Sequence, residues 1–440
     1  MYNSFEQSLA LEIFNAGVES VKPDNLINRY ISFNKDKLQI EKINFDLSKI
    51  KNIYVVGAGK ASAMMAQSIE RILGSRITDG HIVTKYNHSL PLKIIKVTEA
   101  GHPIPDENGI KGTSEILAIV EKAEKDDLVI CLISGGGSAL LADVPEGCTL
   151  EDLKSLNNIL LKSGANIIEM NCIRKHLSKV KGGLLARKAS PARVVSLILS
   201  DVIGDPIDAI ASGPTAADPT TFAEAINILK KYGISDQIPG MIYKVLLEGA
   251  DLKQPETLKE TDETIRYIDN LVIGTNLLSL AKAKDKADLL GYSSHIITNK
   301  LEGDVTDVCS FIIGAAKSAL AEKRTNKTCL LFAGEPTVKV TGNGLGGRNQ
   351  HLALMMAKLL NDLPGITFLS GGTDGSDGPT DAAGAIVDST TSASALKQQF
   401  NIDQYIKNCD SYNFFRQFGG LVITGPTQTN VMDLMVMLIE

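Results

Sequence analysis

Glycine-rich loops that carry small hydroxyl side chains are the chemically most informative feature of this 440-residue sequence. The clearest of them consists of Ser134, Gly135, Gly136, Gly137 and Ser138. Without Cβ atoms, such a backbone can turn its N–H groups inward and approach an oxyanion closely, and the serine hydroxyls add donors. The loop therefore predicts a cradle for a phosphate or carboxylate group.

Two cations stand at predicted helix starts, where the helix dipole places roughly +0.5 charge and disfavours a cation unless an anion is shared. Lys60 follows Gly57 and Gly59 and opens one predicted helix. Arg348 follows a second glycine-rich loop and opens a helix with apolar residues on nearly every face, so that helix should be buried. We expect both cations to share a bound phosphate or carboxylate; the alternative is a solvated or snorkelling side chain.

Acidic residues lie on further glycine-rich loops, where Asp and Glu commonly cap a helix or close a turn. Near an anion cradle they can instead supply the one or two carboxylates that hold Mg²⁺ against nucleotide phosphates, or act as a general base. The candidates for these roles are Asp201, Asp205, Glu335 and Asp374, and Asp377 and Asp381 occupy loops of the same kind. Cradle, cations and carboxylates are what phosphoryl transfer needs, because positioning and charge neutralisation do most of its catalysis.

The loop around Gly57 and Gly59 matches neither of two common nucleotide motifs. A Walker A loop needs glycine where Tyr54 stands, and Ser or Thr where Ala61 stands. A dinucleotide fingerprint needs Gly or Ala where Ser62 stands, and an acidic residue about 20 positions on, which the strand HIVTKYNHS lacks. The signal for NAD is therefore weak.

The elements that position these loops are short β-branched runs, which alternate with helical patterns. This rhythm predicts an α/β fold with a mostly parallel sheet covered on both faces. A first series of runs ends near residue 199 and a second begins near 271, with a polar stretch of weak apolar periodicity between them. We therefore expect two α/β domains, at 1–235 and 269–440, joined by a linker region at 236–268 and separated by a cleft.

Composition narrows the class of protein. With 45 basic and 51 acidic residues, the net charge of −6 disfavours nucleic acid and polybasic membrane binding. The six cysteines form no C-x-x-C pair, and no apolar run approaches the roughly 18 residues of a membrane span. We expect a cytoplasmic protein with small-molecule partners; its oligomeric state, a homo-oligomer included, stays open.

Segments spread over nearly the whole chain carry a family resemblance. They are VVGAGKASAMMA at 55–66, GHPIPDENG at 101–109, ISGGGSALL at 133–141, NCIRKHLSKVKGGLLA at 171–186, LSDVIGDPIDAIASGPT at 199–215, GEPTVKVTGNGLGGRNQ at 334–350, GGTDGSDGPTDAAGA at 371–385 and TGPTQTNVMDL at 424–434. In this order the chain resembles the glycerate 2-kinases whose C-terminal half is the MOFRL domain.

This resemblance implies an ATP- and Mg²⁺-dependent kinase that phosphorylates the 2-hydroxyl of D-glycerate. It also implies a Rossmann-like N-terminal domain, a smaller α/β C-terminal domain and an interdomain active site. The catalytic Lys and Arg proposed for the family fall on Lys60 and Arg348. The resemblance further places Arg174 among the residues that bind phosphate or substrate, together with the glycine-rich loops named above.

Three positions depart from the family pattern. His351 stands where Glu is usual, Pro336 where a second Thr is common, and Gln428 where Gly is common. Some members are labelled hydroxypyruvate reductases, so an NAD(P)H-dependent hydroxypyruvate reductase is the alternative function, against which the faulty dinucleotide fingerprint argues. A non-catalytic sensor of sugar acids or phosphate is a further alternative.

Overall fold

The computed structural model describes residues 4–321 and 327–440, which form two compact units. The terminal unit combines Met1–Asn25 with Gly274–Glu440, and the central unit is Leu26–Ile273. The chain therefore begins and ends in the same unit. Within the described residues, no helix combines the length and the apolar character that a membrane crossing requires.

The central unit alternates strands with helices. Its strands are β1 (Ile31–Asn34), β2 (Lys37–Ile40), β3 (Ile43–Asp46), β4 (Ile53–Ala58), β5 (Asp79–Lys85), β6 (Lys96–Ala100), β7 (Leu128–Ile133), β8 (Arg193–Leu199) and β9 (Ile268–Gly274). Its helices are α2 (Pro23–Tyr30), α3 (Ser62–Leu73), α4 (Glu107–Val120), α5 (Gly137–Leu140), α6 (Leu150–Ser163), α7 (Ile167–Lys175), α8 (Leu184–Ala189), α9 (Phe222–Lys231) and α10 (Gly240–Ala250).

A six-stranded sheet in the order β6-β5-β4-β7-β8-β9 forms the core of this unit. Neighbouring strands from β6 to β8 pair in parallel, and every residue of β4 and β7 is buried. The order is that of a doubly wound dinucleotide-binding fold, in which the connections reverse direction between β4 and β7. The predicted Rossmann-like, mostly parallel sheet is confirmed. The separate antiparallel sheet β1-β2-β3 was not predicted.

The terminal unit has a mixed sheet. Its strands are β10 (Ser293–Asp304), β11 (Thr328–Thr337), β12 (Ile366–Gly372), β13 (Gly384–Asp388), β14 (Leu421–Val422) and β15 (Asp433–Ile439). Its helices are α1 (Phe5–Ser20), α11 (Asn276–Leu289), α12 (Val305–Ala321), α13 (Arg348–Leu359), α14 (Thr391–Lys397), α15 (Ile402–Lys407) and α16 (Ser411–Phe418). The strand order is β10-β11-β15-β12-β13-β14, and only β10 and β11 pair in parallel among these described neighbours.

Strand β15 shows how this sheet is covered on both faces. Met435 and Met437 belong to the apolar core that includes residues of α12 and α13, whereas Leu434 and Val436 belong to the core that includes α1 and α11. Alternate side chains of a strand point to opposite faces, so both faces carry helices. The predicted α/β layering is therefore confirmed for this unit as well, although its strands are largely antiparallel.

The first helix changes the predicted domain boundaries. The sequence pattern places residues 1–25 in the N-terminal domain, but α1 buries Ile13 and Phe14 against Leu280 of α11 and Val436 of β15. Local periodicity predicts which face of a helix is apolar but not which distant surface covers that face. Residues 1–25 therefore belong to the terminal unit.

The segment at 236–268 is also different from the linker that we expected. It contains α10, whose Ile242 and Leu246 lie in one apolar core with Leu229 of α9. The chain then returns to the central sheet as β9, beside β8. The polar residues that indicated a linker lie mainly after Ala250, where α10 ends, and the boundary lies instead at Ile273.

Candidate functional site

The loops after β4 and β7 lie side by side in the central unit, at the point where the connections of the sheet reverse direction. The two strands pair in parallel, so their carboxyl ends meet at the same edge. Lys60 N–H donates to Gly135 O (2.9 Å), Ala61 N–H donates to Ser134 Oγ (3.0 Å), and Ser134 N–H donates to the Ala58 carbonyl (3.1 Å). In open α/β sheets, this crevice is where ligands bind.

Glycine is required both at the end of β4 and in the loop that follows it. A methyl group at Gly57 would lie 2.1 Å from the Leu132 carbonyl oxygen, and one at Gly59 would lie 2.0 Å from Ser134 Oγ. Gly59 also has φ +139°, which side-chain-bearing residues rarely adopt. The predicted glycines therefore allow two strand ends to approach each other closely.

The loop of Ser134 to Ser138 leaves β7 through a left-handed glycine. Gly136 has φ 82°, and α5 begins at the next residue. Ser134 is fully buried. Its hydroxyl accepts a hydrogen bond from the Ala61 N–H and so connects the two loops. Ser138 Oγ lies 2.7 Å from Ser212 Oγ.

Lys60 lies in the turn before α3, not in its first helical position, because the helix begins at Ser62. The lysine is half-buried. A methyl group at Gly136 would lie 2.9 Å from the His102 ring and 3.4 Å from Lys60 Cγ, so these two side chains flank the glycine loop. The structure thus brings Lys60 together with the predicted anion cradle.

A cavity of about 190 Å³ adjoins this loop within the central unit. Its lining includes Gly136 and Ser138 from the loop and two cations, Arg174 and Lys181. Arg174 was predicted from the family resemblance, whereas Lys181 was missed. Burial lowers the pKa of Lys181, partly offset by the nearby carboxylate of Asp143.

Strand β8 ends at the same edge of the sheet, and the loop that follows it carries Asp201 and Asp205. Asp205 takes φ +57°, a conformation in which Asp is among the tolerated residues. Its Oδ1 atom is buried and has no hydrogen-bond partner among the described residues. A buried carboxylate oxygen without a donor is costly, so this atom is a candidate ligand for a cation.

Arg348 opens α13 of the terminal unit, as predicted, but carboxylates of the protein already surround it. Its Nε and Nη2 atoms donate to Asp433 at 2.6 and 3.0 Å, and its Nη1 atom donates to Glu335 at 2.7 Å. Burial alone would lower the pKa of Arg348, but Asp433 and Glu335 outweigh that effect and raise it. The guanidinium group is therefore firmly charged.

Asp433 is the residue that sequence reasoning missed at this site. It begins β15, where it pairs with Gly334 of β11 and Gly372 of β12. Its side chain is 1% exposed. A lone acidic residue before the apolar run LMVMLI was the available signal, since a buried carboxylate requires a charged partner.

The anion at the N-terminus of α13 is Asp377. It accepts hydrogen bonds from the backbone N–H of Asn349 (3.0 Å) and of Gln350 (2.8 Å). Burial raises the pKa of Asp377 to about 6, against the lowering effect of these N–H donors. The helix dipole is thus satisfied from within the protein, so it does not by itself indicate a bound ligand.

The remaining acidic candidate, Asp374, lies in a turn after β12. Its Oδ1 atom accepts from Ser376 N–H at 3.0 Å and from Ser376 Oγ at 3.1 Å. Over residues 4–321 and 327–440, no group of three or more His, Cys, Asp or Glu side chains is placed to hold a metal ion. The acidic candidates therefore do not form a preassembled metal cage.

The positions that depart from the family pattern have ordinary structural settings. Gln428 takes φ +62°, which explains why glycine suits that turn. His351 is buried in α13, where burial lowers its pKa, and its Nδ1 atom has no partner among the described residues. Pro336 lies in β11 opposite Gly303.

Comparisons with known proteins agree with this architecture. Residues 9–247 match a family described as a domain of unknown function (DUF4147), and residues 328–433 match the MOFRL family. The D-glycerate 2-kinase of Thermotoga maritima is 41% identical over 98% of each chain. The crystal structure of glycerate kinase from Thermotoga maritima aligns with a TM-score of 0.86 at 40% identity over 99% of each chain.

A relative with a different name is the putative hydroxypyruvate reductase of Agrobacterium vitis, 41% identical over 88% of this chain and 86% of its own. Fold and comparisons together define a two-unit α/β kinase with a C-terminal MOFRL region. The chain belongs to the glycerate kinase family, which confirms the resemblance found in the sequence.

Proposed function

We propose that this protein transfers the γ-phosphoryl group of ATP to the 2-hydroxyl of D-glycerate, giving 2-phosphoglycerate and ADP. The observation that carries the proposal is the junction of Lys60 with the glycine loop Ser134–Ser138 at the strand-order reversal between β4 and β7. A flexible cation beside a glycine-rich backbone turn suits a transferring phosphoryl group. Membership of the glycerate kinase family supports the choice of acid.

In this proposal Lys60 neutralises negative charge on the γ-phosphoryl group, and Arg348 supplies a second positive charge for a phosphate group. The two carboxylates that pair with Arg348 differ in burial. The side chain of Glu335 is 46% exposed, whereas that of Asp433 is 1% exposed. Glu335 is the partner that an incoming phosphate can replace. Asp433 stays in place and fixes the orientation of the guanidinium group.

Mg²⁺ is the expected counter-ion of the nucleotide phosphates. It usually keeps several waters and uses only one or two protein carboxylates, so a preassembled cage is not needed. The unpartnered Oδ1 atom of Asp205 fits such a ligand, and Asp201 and Asp374 are further candidates for holding the ion or accepting the 2-hydroxyl proton. When bound, the ion would offset charge on the phosphate oxygens.

A coupled assay tests this function directly. Purified protein with ATP, Mg²⁺ and D-glycerate should release ADP, and the product should be consumed by enolase without a mutase, because enolase accepts the 2-phosphate isomer. L-glycerate and a reaction without acid are the controls. No ADP release above these controls would contradict the proposal.

The same purified protein can be tested for the alternative function, an NAD(P)H-dependent hydroxypyruvate reductase. In the doubly wound fold, the second strand ends in an acidic residue that binds the 2′-hydroxyl of the adenosine ribose of NAD. The equivalent strand β5 ends at Thr84 and Lys85, and Thr84 Oγ1 donates to the Gly59 carbonyl at 3.1 Å. We therefore expect no hydroxypyruvate-dependent loss of nicotinamide absorbance; such a loss would favour the reductase.

A further inference from the structure

We propose that the cavity of about 190 Å³ in the central unit binds the acid substrate, with Arg174 holding its carboxylate and the apolar walls admitting only a short hydroxy acid. This inference rests on the proposed function and extends it to the residues that select the acid. It assigns the nucleotide to a different part of the enzyme.

Arg174 has unused hydrogen-bonding capacity in this cavity. Its Nε atom donates to Asn157 Oδ1 at 2.9 Å, which fixes the plane of the guanidinium group. Its two Nη groups have no hydrogen-bond partner among residues 4–321 and 327–440. Two parallel N–H donors match the two oxygens of a carboxylate, and this charged pairing is stronger than a neutral one.

The other charges of the cavity offset each other. Lys181 Nζ lies 3.6 Å from Asp143 Oδ1 and donates to the Leu141 carbonyl at 2.6 Å. Both of these charged side chains are more than nine-tenths buried. Arg174 therefore leaves one net positive charge, which matches a single carboxylate; a triphosphate would bring several uncompensated charges into the cavity.

The dimensions of the cavity indicate a small ligand. Pockets for drug-sized molecules measure about 300–1,000 Å³, so this volume suits a three-carbon acid but not an adenine nucleotide. Leu153, Leu156 and Leu177 form an apolar wall. A longer polyhydroxy acid would have to bury hydroxyl groups against these leucines, which costs free energy.

The cavity is continuous with the phosphoryl-transfer loop. Gly136 and Ser138 belong to its wall, and a methyl group at Gly136 would lie 3.4 Å from Lys60 Cγ. Lys60 therefore lies beside a residue of the cavity wall. This arrangement gives the cavity a direct link to the reaction.

Steady-state kinetics of Arg174→Gln test the assignment. We expect the KM for D-glycerate to rise about 100-fold while the KM for ATP changes less than twofold, because a charged bidentate contact is lost. Arg174→Lys keeps the charge but not the planar fork, so it should recover part of the loss. Lys162→Gln, at an exposed cation of α6, is the matched control and should match the wild type.

Two variants that keep every charge provide an independent measurement. Ala139→Leu fills the cavity and should weaken D-glycerate binding, measured by calorimetry with a non-hydrolysable ATP analogue present. Leu153→Ala enlarges it and should raise the kcat/KM for a four-carbon trihydroxy acid about tenfold relative to D-glycerate. These variants carry the test if Arg174→Gln does not fold.

Failure of the proposed function and failure of the acid-site assignment give different results. Wild-type protein that forms no ADP with D-glycerate would overturn the proposed function. Wild-type protein that turns over, with Arg174→Gln and Ala139→Leu binding D-glycerate normally, would overturn only the acid site. A rise confined to the KM for ATP would assign the cavity to nucleotide phosphate instead and would likewise overturn it.

Discussion

The two cations that the sequence singled out lie in contrasting surroundings. Lys60 follows a loop built from backbone contacts, in which the glycines allow β4 and β7 to approach each other and a cavity lies alongside. Arg348 is surrounded by side-chain carboxylates, with Asp433 and Glu335 at its guanidinium group and Asp377 at the start of its helix. An open cavity therefore adjoins the loop before Lys60, whereas carboxylates of the protein surround Arg348.

This difference limits what a cation at a helix start can indicate. The same pattern, a glycine-rich loop followed by a basic residue, occurs in both units. In the terminal unit the expected anion is a carboxylate of the protein, so the dipole argument alone does not identify a ligand. A cavity with unpartnered donors, as found beside the Lys60 loop, is the stronger indication of binding.

Alanine substitution of the two cations should separate catalysis from stability. Lys60→Ala should lower kcat about 1,000-fold and change the free energy of unfolding by less than about 1 kcal/mol, because the lysine is half-exposed. Arg348→Ala should lower kcat about 100-fold or more and also destabilise the fold by about 3 kcal/mol, because Asp433 loses its partner. The coupled assay and urea unfolding measure these effects, with exposed Lys397→Ala as control. Near wild-type turnover would remove that residue from the mechanism.

Alanine at the loop glycines should break both loops through different contacts. Gly59→Ala would place a methyl group 2.0 Å from Ser134 Oγ, and Gly347→Ala would place one 2.2 Å from Asp377 Cγ. We expect each to destabilise the fold by about 3 kcal/mol in urea unfolding, since neither neighbour has room to move. Gly164→Ala, at φ 81° with nothing within 4 Å, isolates backbone strain and should cost about 1 kcal/mol. Equal losses in all three would mean that close approach is irrelevant.

The titration of Asp377, in the terminal unit, should make the free energy of unfolding depend on pH. Its folded pKa of about 6 exceeds the ordinary value of 3.8, so between about pH 4 and 6 the folded protein keeps a proton that the unfolded chain has released. Its contribution to stability is therefore complete below about pH 4 and is lost as pH rises through 6. Relative to Asp377→Asn, wild-type stability should fall by about 2 kcal/mol over this range in urea unfolding. Asp362→Asn, at an exposed site, keeps Asp377 and should show the same pH dependence as the wild type, whereas a parallel response of Asp377→Asn and wild type would contradict the prediction.

The dependence of activity on Mg²⁺ should show which unit supplies the carboxylate. Asp205→Asn keeps a residue that tolerates positive φ and should raise the Mg²⁺ concentration for half-maximal activity about tenfold, with unchanged stability. Asp374→Asn should have a smaller effect, because its Oδ1 atom already accepts from Ser376. Exposed Asp236→Asn is the control. The reverse order of effects would assign the ion to the terminal unit.

Much of the fold was predictable from local patterns. The β-branched runs at 54–56 and 128–133 lie in β4 and β7, and the glycines at 57, 59 and 136 are required where they were expected. The domain boundaries were not predictable in the same way, because α1 and β9 find their partners far along the chain. A helix or strand pattern contains no information about which sheet will cover it.

The candidate site likewise has features that the local sequence predicts and features that it does not. Lys60, Arg348 and the glycine loops were identified by residue type and spacing, which are local properties of the chain. The carboxylate that pairs with Arg348 is 85 residues away, and the cavity lies between segments that converge only when the sheet forms. By itself the sequence determined where backbone can approach an anion and where charge is available, because these depend on neighbouring residues. The tertiary structure alone decided which charge is already neutralised and which faces an open space, because those depend on contacts between distant parts of the chain.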